Sequence, residues 1–328
     1  MILQLLLGVA GGAGVPVQTC MNNELKKRLG SPIRATLFSS FLSLVLVTVY
    51  LLVRKNLTLP FELLSGEPAW IYCGGLFGMC FMIGNVLLFS RAGSAVGVVM
   101  PVCGQILMGL LIDHFGLFLS VRRSLTPIRI LGGAMLLTGM TLVAVGKSQA
   151  MREGGTSGVG SAAMDPEKKK PAGGLLVWYL VGIGGGMCSA CQTAVNGRAG
   201  KLLGSPFKGV CLSLIVSTTV LLVLSLLQTA LKRGIADRAS IEAEKRKGFR
   251  LWICLGGVFG GTFMLVNAYL VNVFGNGITL TLALLGSVCG SAVIDHFALL
   301  GAVRARLNVK RVLGLALLFA GAALIRLL

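Results

Sequence analysis

Two short stretches hold the side chains best suited to chemistry. Ile112-Asp113-His114-Phe115 and Ile294-Asp295-His296-Phe297 each set an aspartate beside a histidine at the end of a long apolar run, and these are the chain's only two histidines. A carboxylate next to an imidazole can relay protons or hold a cation. A carboxylate at bilayer depth costs about 2.5 to 3.5 kcal/mol to insert, so it faces a bundle interior or a watery cavity. The second reading ends each helix at the aspartate and leaves Asp113-His114 and Asp295-His296 as anchors in the headgroup region. Under the first, the pairs are gate or proton-coupling groups, partnered by Arg122 or Arg123 at one face and by Arg304 or Arg306 at the other.

The amides form the second set. Gln18 and Asn22 stand four apart and share a face of one apolar run, and Gln192 and Asn196 repeat the spacing in another. Asn85, Asn267 and Gln105 also lie inside apolar runs. Such amides either bond between helices, at about 0.6 kcal/mol each, or line a substrate path. The chain has nine cysteines, nearly all in apolar runs, and its single CxxC, Cys188 to Cys191, has no second one nearby. They read as small packing residues, with no metal or cofactor expected. No lysine or arginine is expected to be embedded deep in a span, which argues against phosphorylated or nucleotide-sugar substrates. No nucleophile motif accompanies the Asp-His pairs, so an enzyme is the least favoured class.

The elements that must position these residues follow from composition. Of 328 residues, 55% are hydrophobic and 12% charged, with 46 glycines; soluble domains carry about 25% charged residues. The net charge of +19 sits in short gaps between apolar runs, so it reports membrane topology and not nucleic-acid binding. Ten runs of spanning length are expected, at about 1–21, 32–53, 69–89, 94–112 and 128–146, then 174–195, 206–230, 251–271, 276–294 and 309–328. The polar, Gly/Ser-rich segment 147–173 reads as a disordered linker, and about 231–250 as a charged cytoplasmic insertion.

The two sets of five are copies. Gln18 and Gln192, Asn22 and Asn196, and Gly30-Ser31-Pro32 and Gly204-Ser205-Pro206 share an offset of 174. Asn85 and Asn267, Asp113 and Asp295, and Arg129 and Arg311 share an offset of 182. One eight-residue insertion between the second and third runs reconciles them. Five is odd, so the second copy enters the membrane from the opposite side, giving an all-α polytopic membrane protein of two inverted five-helix repeats, 1–146 and 174–328. Of the 30 lysines and arginines, 21 fall on one side of this layout, which places both termini outside a plasma or inner membrane.

The motifs GxxxQxxxN at Gly14 to Asn22, Gly30-Ser31-Pro32, Gly104-Gln105 and Ile112 to Gly116 resemble the YdcZ family of the drug/metabolite transporter superfamily. The resemblance covers nearly the whole chain outside the linker and the insertion. It implies a transporter-like fold in which this chain is an antiparallel fusion of two five-helix units. Relatives in the small multidrug resistance group carry a glutamate within the first helix, and here that helix is expected to carry no buried acid, so their proton-drug exchange does not transfer. The reading is thus a secondary transporter moving a small neutral or cationic metabolite by alternating access, with an inverted-repeat ion channel as the alternative. Its partners are the lipid bilayer and the solute, and a homodimer is compatible with it but not required.

Overall fold

The computed structural model describes residues 2–153, 172–231, 251–301, 305 and 307–326. Most of the expected linker, 154–171, and nearly all of the charged insertion, 232–250, lie outside the described residues. In the first half stand α1 (Ile2–Leu29), α2 (Pro32–Val53), α3 (Gly74–Phe115) and α4 (Pro127–Glu153); in the second, α5 (Ala172–Leu202), α6 (Pro206–Ala230), α7 (Gly256–Phe274), α8 (Asn276–Phe297) and α9 (Val309–Arg326). Among the described residues there is no strand, and six helices are long and apolar enough to cross a bilayer. Large apolar side chains such as Phe41, Leu226 and Phe319 point outward, as a lipid-facing surface requires.

The same punctuation opens the second helix of each half. Gly30 and Gly204 adopt left-handed φ of 66° and 71°. Ser31 and Ser205 are then extended, and Pro32 and Pro206 occupy the first turn, where a missing N–H leaves no partner unsatisfied.

The third and fourth spans differ from expectation. The run at 69–89 begins as a 3-10 turn, Ala69–Tyr72, in which Trp70 packs edge-on against Phe118 at 5.2 Å between ring centres. The run at 251–271 begins likewise, at Leu251–Leu255. The two expected spans of the first half are joined in the single α3. A straight helix of 42 residues would be about 63 Å long, twice the hydrocarbon thickness. Yet the space beside Gly182 of α5 is bounded by both Leu88 and Met100, which a straight helix would set about 18 Å apart. The helix therefore doubles back between them, and two legs result. In the second half the reversal falls at Gly275, whose φ of 83° suits glycine, between α7 and α8.

These legs clasp the first helix of the opposite half. Along α5, Gly78 meets Gln192 while Leu88 meets Gly182, an antiparallel course; Gly104 meets Ile183 and Gln105 reaches Ser189, a parallel one. Along α1 the pattern repeats, with Gly260 on Gln18 and Val266 on Gly11, then Gly286 on Val9 and Gly290 on Ala13. The remaining helices pair with their own counterparts. Ser40 Oγ bonds Ser217 Oγ at 3.0 Å between α2 and α6, and Ser31 Oγ donates to Gln228 Oε1 at 2.7 Å, so this pair is antiparallel. Between α4 and α9 the backbones touch: a Cβ on Gly139 would stand 2.7 Å from the Gly314 carbonyl, and one on Gly321 2.7 Å from that of Gly132. Counterparts that run antiparallel mean that the halves are inverted.

Candidate transport path and its two ends

The amides lie on the seams where the halves interlock. Gln18 of α1 rests on Gly260 of α7, and Gln192 of α5 rests on Gly78 of α3, so close that a Cβ on either glycine would overlap the amide nitrogen. Asn267 and Asn85 stand seven residues beyond those glycines, two turns on and on the same face. Asn267 Nδ2 and Asn85 Oδ1 are buried without a hydrogen-bond partner. The halves differ one turn along. Asn196 Oδ1 accepts a hydrogen bond from Ser213 Oγ, whereas the corresponding Asn22 Oδ1 and Ser39 Oγ are both buried and unpartnered.

Gln105 Nε2 donates to Ser189 Oγ at 3.1 Å. It also lines a cleft between the second leg of α3 and α8, with Gly109, Gly277, Thr281 and Leu284. Thr281 and the α2 and α6 serines escaped the reading of the sequence. Hydroxyls are common in membrane helices, and only the offset of 174 from Ser39 to Ser213 and from Ser43 to Ser217 could have singled those serines out.

Each Asp-His pair ties its helix end to the loop that follows. The main-chain carbonyl of Asp113 accepts from the Arg123 N–H at 2.6 Å, and that of Asp295 from the Ala305 N–H at 2.9 Å. His114 Nδ1 accepts from Leu125 N–H at 3.2 Å, and His296 Nδ1 from Leu307 N–H at 3.4 Å. Arg311 closes the knot in the second half, donating to Asp295 Oδ2 at 3.0 Å and to the Ala305 carbonyl at 2.8 Å. Arg129 occupies the matching place in the first, donating to the Arg123 carbonyl at 3.4 Å and lying within electrostatic reach of Asp113.

Beyond the knots the ends diverge. Asp113 Oδ2 accepts the N–H of Gly277 at 3.0 Å, in the first turn of α8, where free N–H groups and the helix dipole favour an anion. Asp295 instead receives Lys147 Nζ from α4, at 3.0 Å to Oδ1 and 2.9 Å to Oδ2. Each aspartate thus reaches into the opposite half. One touches the start of α8 and the other lies 18 residues along it, so they stand about 27 Å apart at opposite ends of the bundle.

Of the arginines expected to pair with the carboxylates, Arg122 donates to the His114 carbonyl at 3.1 Å and Arg123 donates its backbone N–H to the Asp113 carbonyl at 2.6 Å. Arg304 and Arg306 lie outside the described residues. One expectation is corrected here: embedded cations are present, because Arg311 is 1% exposed and Arg129 2%. Both stand in the repeat as a matched pair. Lys147, expected as the first linker residue, lies inside α4, which runs on to Glu153, and bonds Asp295.

Among the described residues no three His, Cys, Asp or Glu side chains converge as a metal site needs.

Known proteins resemble this arrangement in sequence and shape. The family described as "Putative inner membrane exporter, YdcZ" matches residues 3–142 and again 177–324. The inner membrane protein YdcZ of Escherichia coli (strain K12) is 26% identical over 147 residues, which are 43% of this chain and 95% of that protein. A crystal structure superposes with a TM-score of 0.60 at 16% identity, covering 99% of this chain and 96% of the other, a likeness of fold alone. The chain belongs to the YdcZ family and carries its unit twice.

Proposed function

From this family membership we propose a secondary transporter that moves a small neutral or cationic metabolite out through the inner or plasma membrane. The halves rock about the seams at α1 and α5, so that Gln18, Asn22, Gln192 and Asn196 face first one side and then the other. Asn85, Asn267 and Gln105 extend the path. One observation carries this reading: amides at corresponding places line both seams between the halves, and Asn22, Asn85 and Asn267 keep buried polar atoms without a protein partner. Buried polar groups are nearly always satisfied, so such atoms ask for a functional explanation.

Asp113-His114 and Asp295-His296 serve as the two gates, each opened by breaking its contact with the opposite half, and the carboxylates couple that opening to protons. Both termini lie outside. One chain supplies both halves, so transport needs no second copy.

The test is proton and solute flux in sealed proteoliposomes, comparing wild type with Asp113→Asn and Asp295→Asn across a panel of small cations and neutral metabolites. Saturable solute flux with proton movement lost in either variant is expected. Flux that keeps its proton movement in both variants would remove the coupling role. Single-channel currents far above transporter turnover would replace the transporter with an ion channel.

A further inference from the structure

Asn22 and Ser39 mark a difference between the two seams. Asn22 is 7% exposed and Ser39 1%, and their Oδ1 and Oγ atoms are buried with no hydrogen-bond partner. Their counterparts Asn196 and Ser213 satisfy each other. Both unpartnered residues flank Gly256-Gly257 at the start of α7. A Cβ on Gly256 would stand 2.7 Å from Asn22 Oδ1, and one on Gly257 would collide with the Ser39 carbonyl, so the bare glycines let the α7 backbone lie directly against Asn22 and Ser39. Ser43 bonds neither atom; its hydroxyl donates to the Gly257 carbonyl.

The electrostatics select what fits there. Asn22, Ser39 and Ser43 are neutral, and the cation Lys26 stands one turn beyond Asn22. None of these residues supplies the negative charge that an ammonium group would pair with. A hydroxyl, which donates one hydrogen bond and accepts others, matches an amide oxygen beside a serine.

We propose that Asn22, Ser39 and the Gly256-Gly257 backbone form a subsite for a hydroxyl of an uncharged, hydroxylated solute, a polyol or sugar. This rests on the transporter reading and narrows its substrate from neutral or cationic to neutral. In the membrane the solute hydroxyl replaces the bond that Ser213 supplies to Asn196 in the other half.

The experiment is counterflow in proteoliposomes of the full chain. Erythritol, xylitol and glucose are each compared with an analogue lacking one hydroxyl, and ethanolamine and putrescine serve as cationic probes. Wild type should carry at least one fully hydroxylated probe about tenfold faster than its deoxy analogue, the size expected for one hydrogen bond. Asn22→Ala and Ser39→Ala should erase that preference, while Ser213→Ala keeps it. Should Asn22→Ala fail to fold, Ser39→Ala, which removes one oxygen atom, decides. A preference that survives Ser39→Ala overturns the subsite. Flux of amines alone overturns the neutral substrate and leaves the transporter standing. No flux of any probe overturns the transporter reading itself, and the subsite with it.

Discussion

The Asp113 end and the Asp295 end are built from one plan and finished differently. Within its own half, each aspartate is knotted by the same bonds: backbone to the loop, imidazole to the loop, and a buried arginine bridging to a loop carbonyl. Across the halves, Asp113 meets a backbone N–H of α8 whereas Asp295 meets the ammonium of Lys147. Duplication thus reproduces the contacts that a repeat makes with itself, and each junction between repeats finds its own solution.

The largest effect that would test the shared plan comes from Arg311→Met. Removing one partner from a buried ion pair costs about 3–5 kcal/mol, so unfolding in detergent should shift strongly to lower denaturant, and Arg129→Met should do nearly the same. A large loss at Arg311 with none at Arg129 would break the likeness of the two knots. Next comes Lys147→Met, which spares Arg311 but removes the charged bond across the halves, at about 1.5–3 kcal/mol. Cys20 lies within electrostatic reach of both Lys147 and Asp295, so its labelling by a maleimide should quicken in this variant as the end opens. Unchanged labelling would mean that Lys147 does not hold that end closed.

Gly277→Ala probes the other junction, since its Cβ would stand 2.6 Å from Asp113 Oδ2. A loss of about 1–2 kcal/mol is expected from the displaced carboxylate, with no change at Cys20. The smallest effect belongs to His114→Ala and His296→Ala. Each loses one neutral hydrogen bond, about 1 kcal/mol, and equal losses in thermal unfolding would sharpen the view that the knots are equivalent.

How much of this was legible in the sequence depended on whether a contact is local. Gly30-Ser31-Pro32 and its copy mark a helix boundary through backbone chemistry, and the structure places the boundary there. The inversion followed from an odd number of spans. The clasping of α1 by α7 and α8 did not, because two five-helix copies could pack side by side with the same hydropathy. What decides it are glycines such as Gly78 and Gly260, whose partners lie more than a hundred residues away. The carboxylates and most of the amides could be picked out by type. Ser39 could not, since a hydroxyl in an apolar run is unremarkable until its counterpart is seen bonded. Arg129 and Arg311 were visible as a repeated pair, but their burial depends on loops that fold back over them.

The exchange of first helices between the halves also sets a schedule for biosynthesis. The surface of α1 that carries Gly8, Gly11 and Gly12 packs against residues 266 to 283 of α7 and α8. At about 5–20 residues per second, those partners leave the ribosome roughly 15–60 s after α1 does. Throughout that interval a glycine-lined, amide-bearing helix waits in the membrane without its mate. The insertion machinery, or a neighbouring helix released later, must shield it until the second unit arrives.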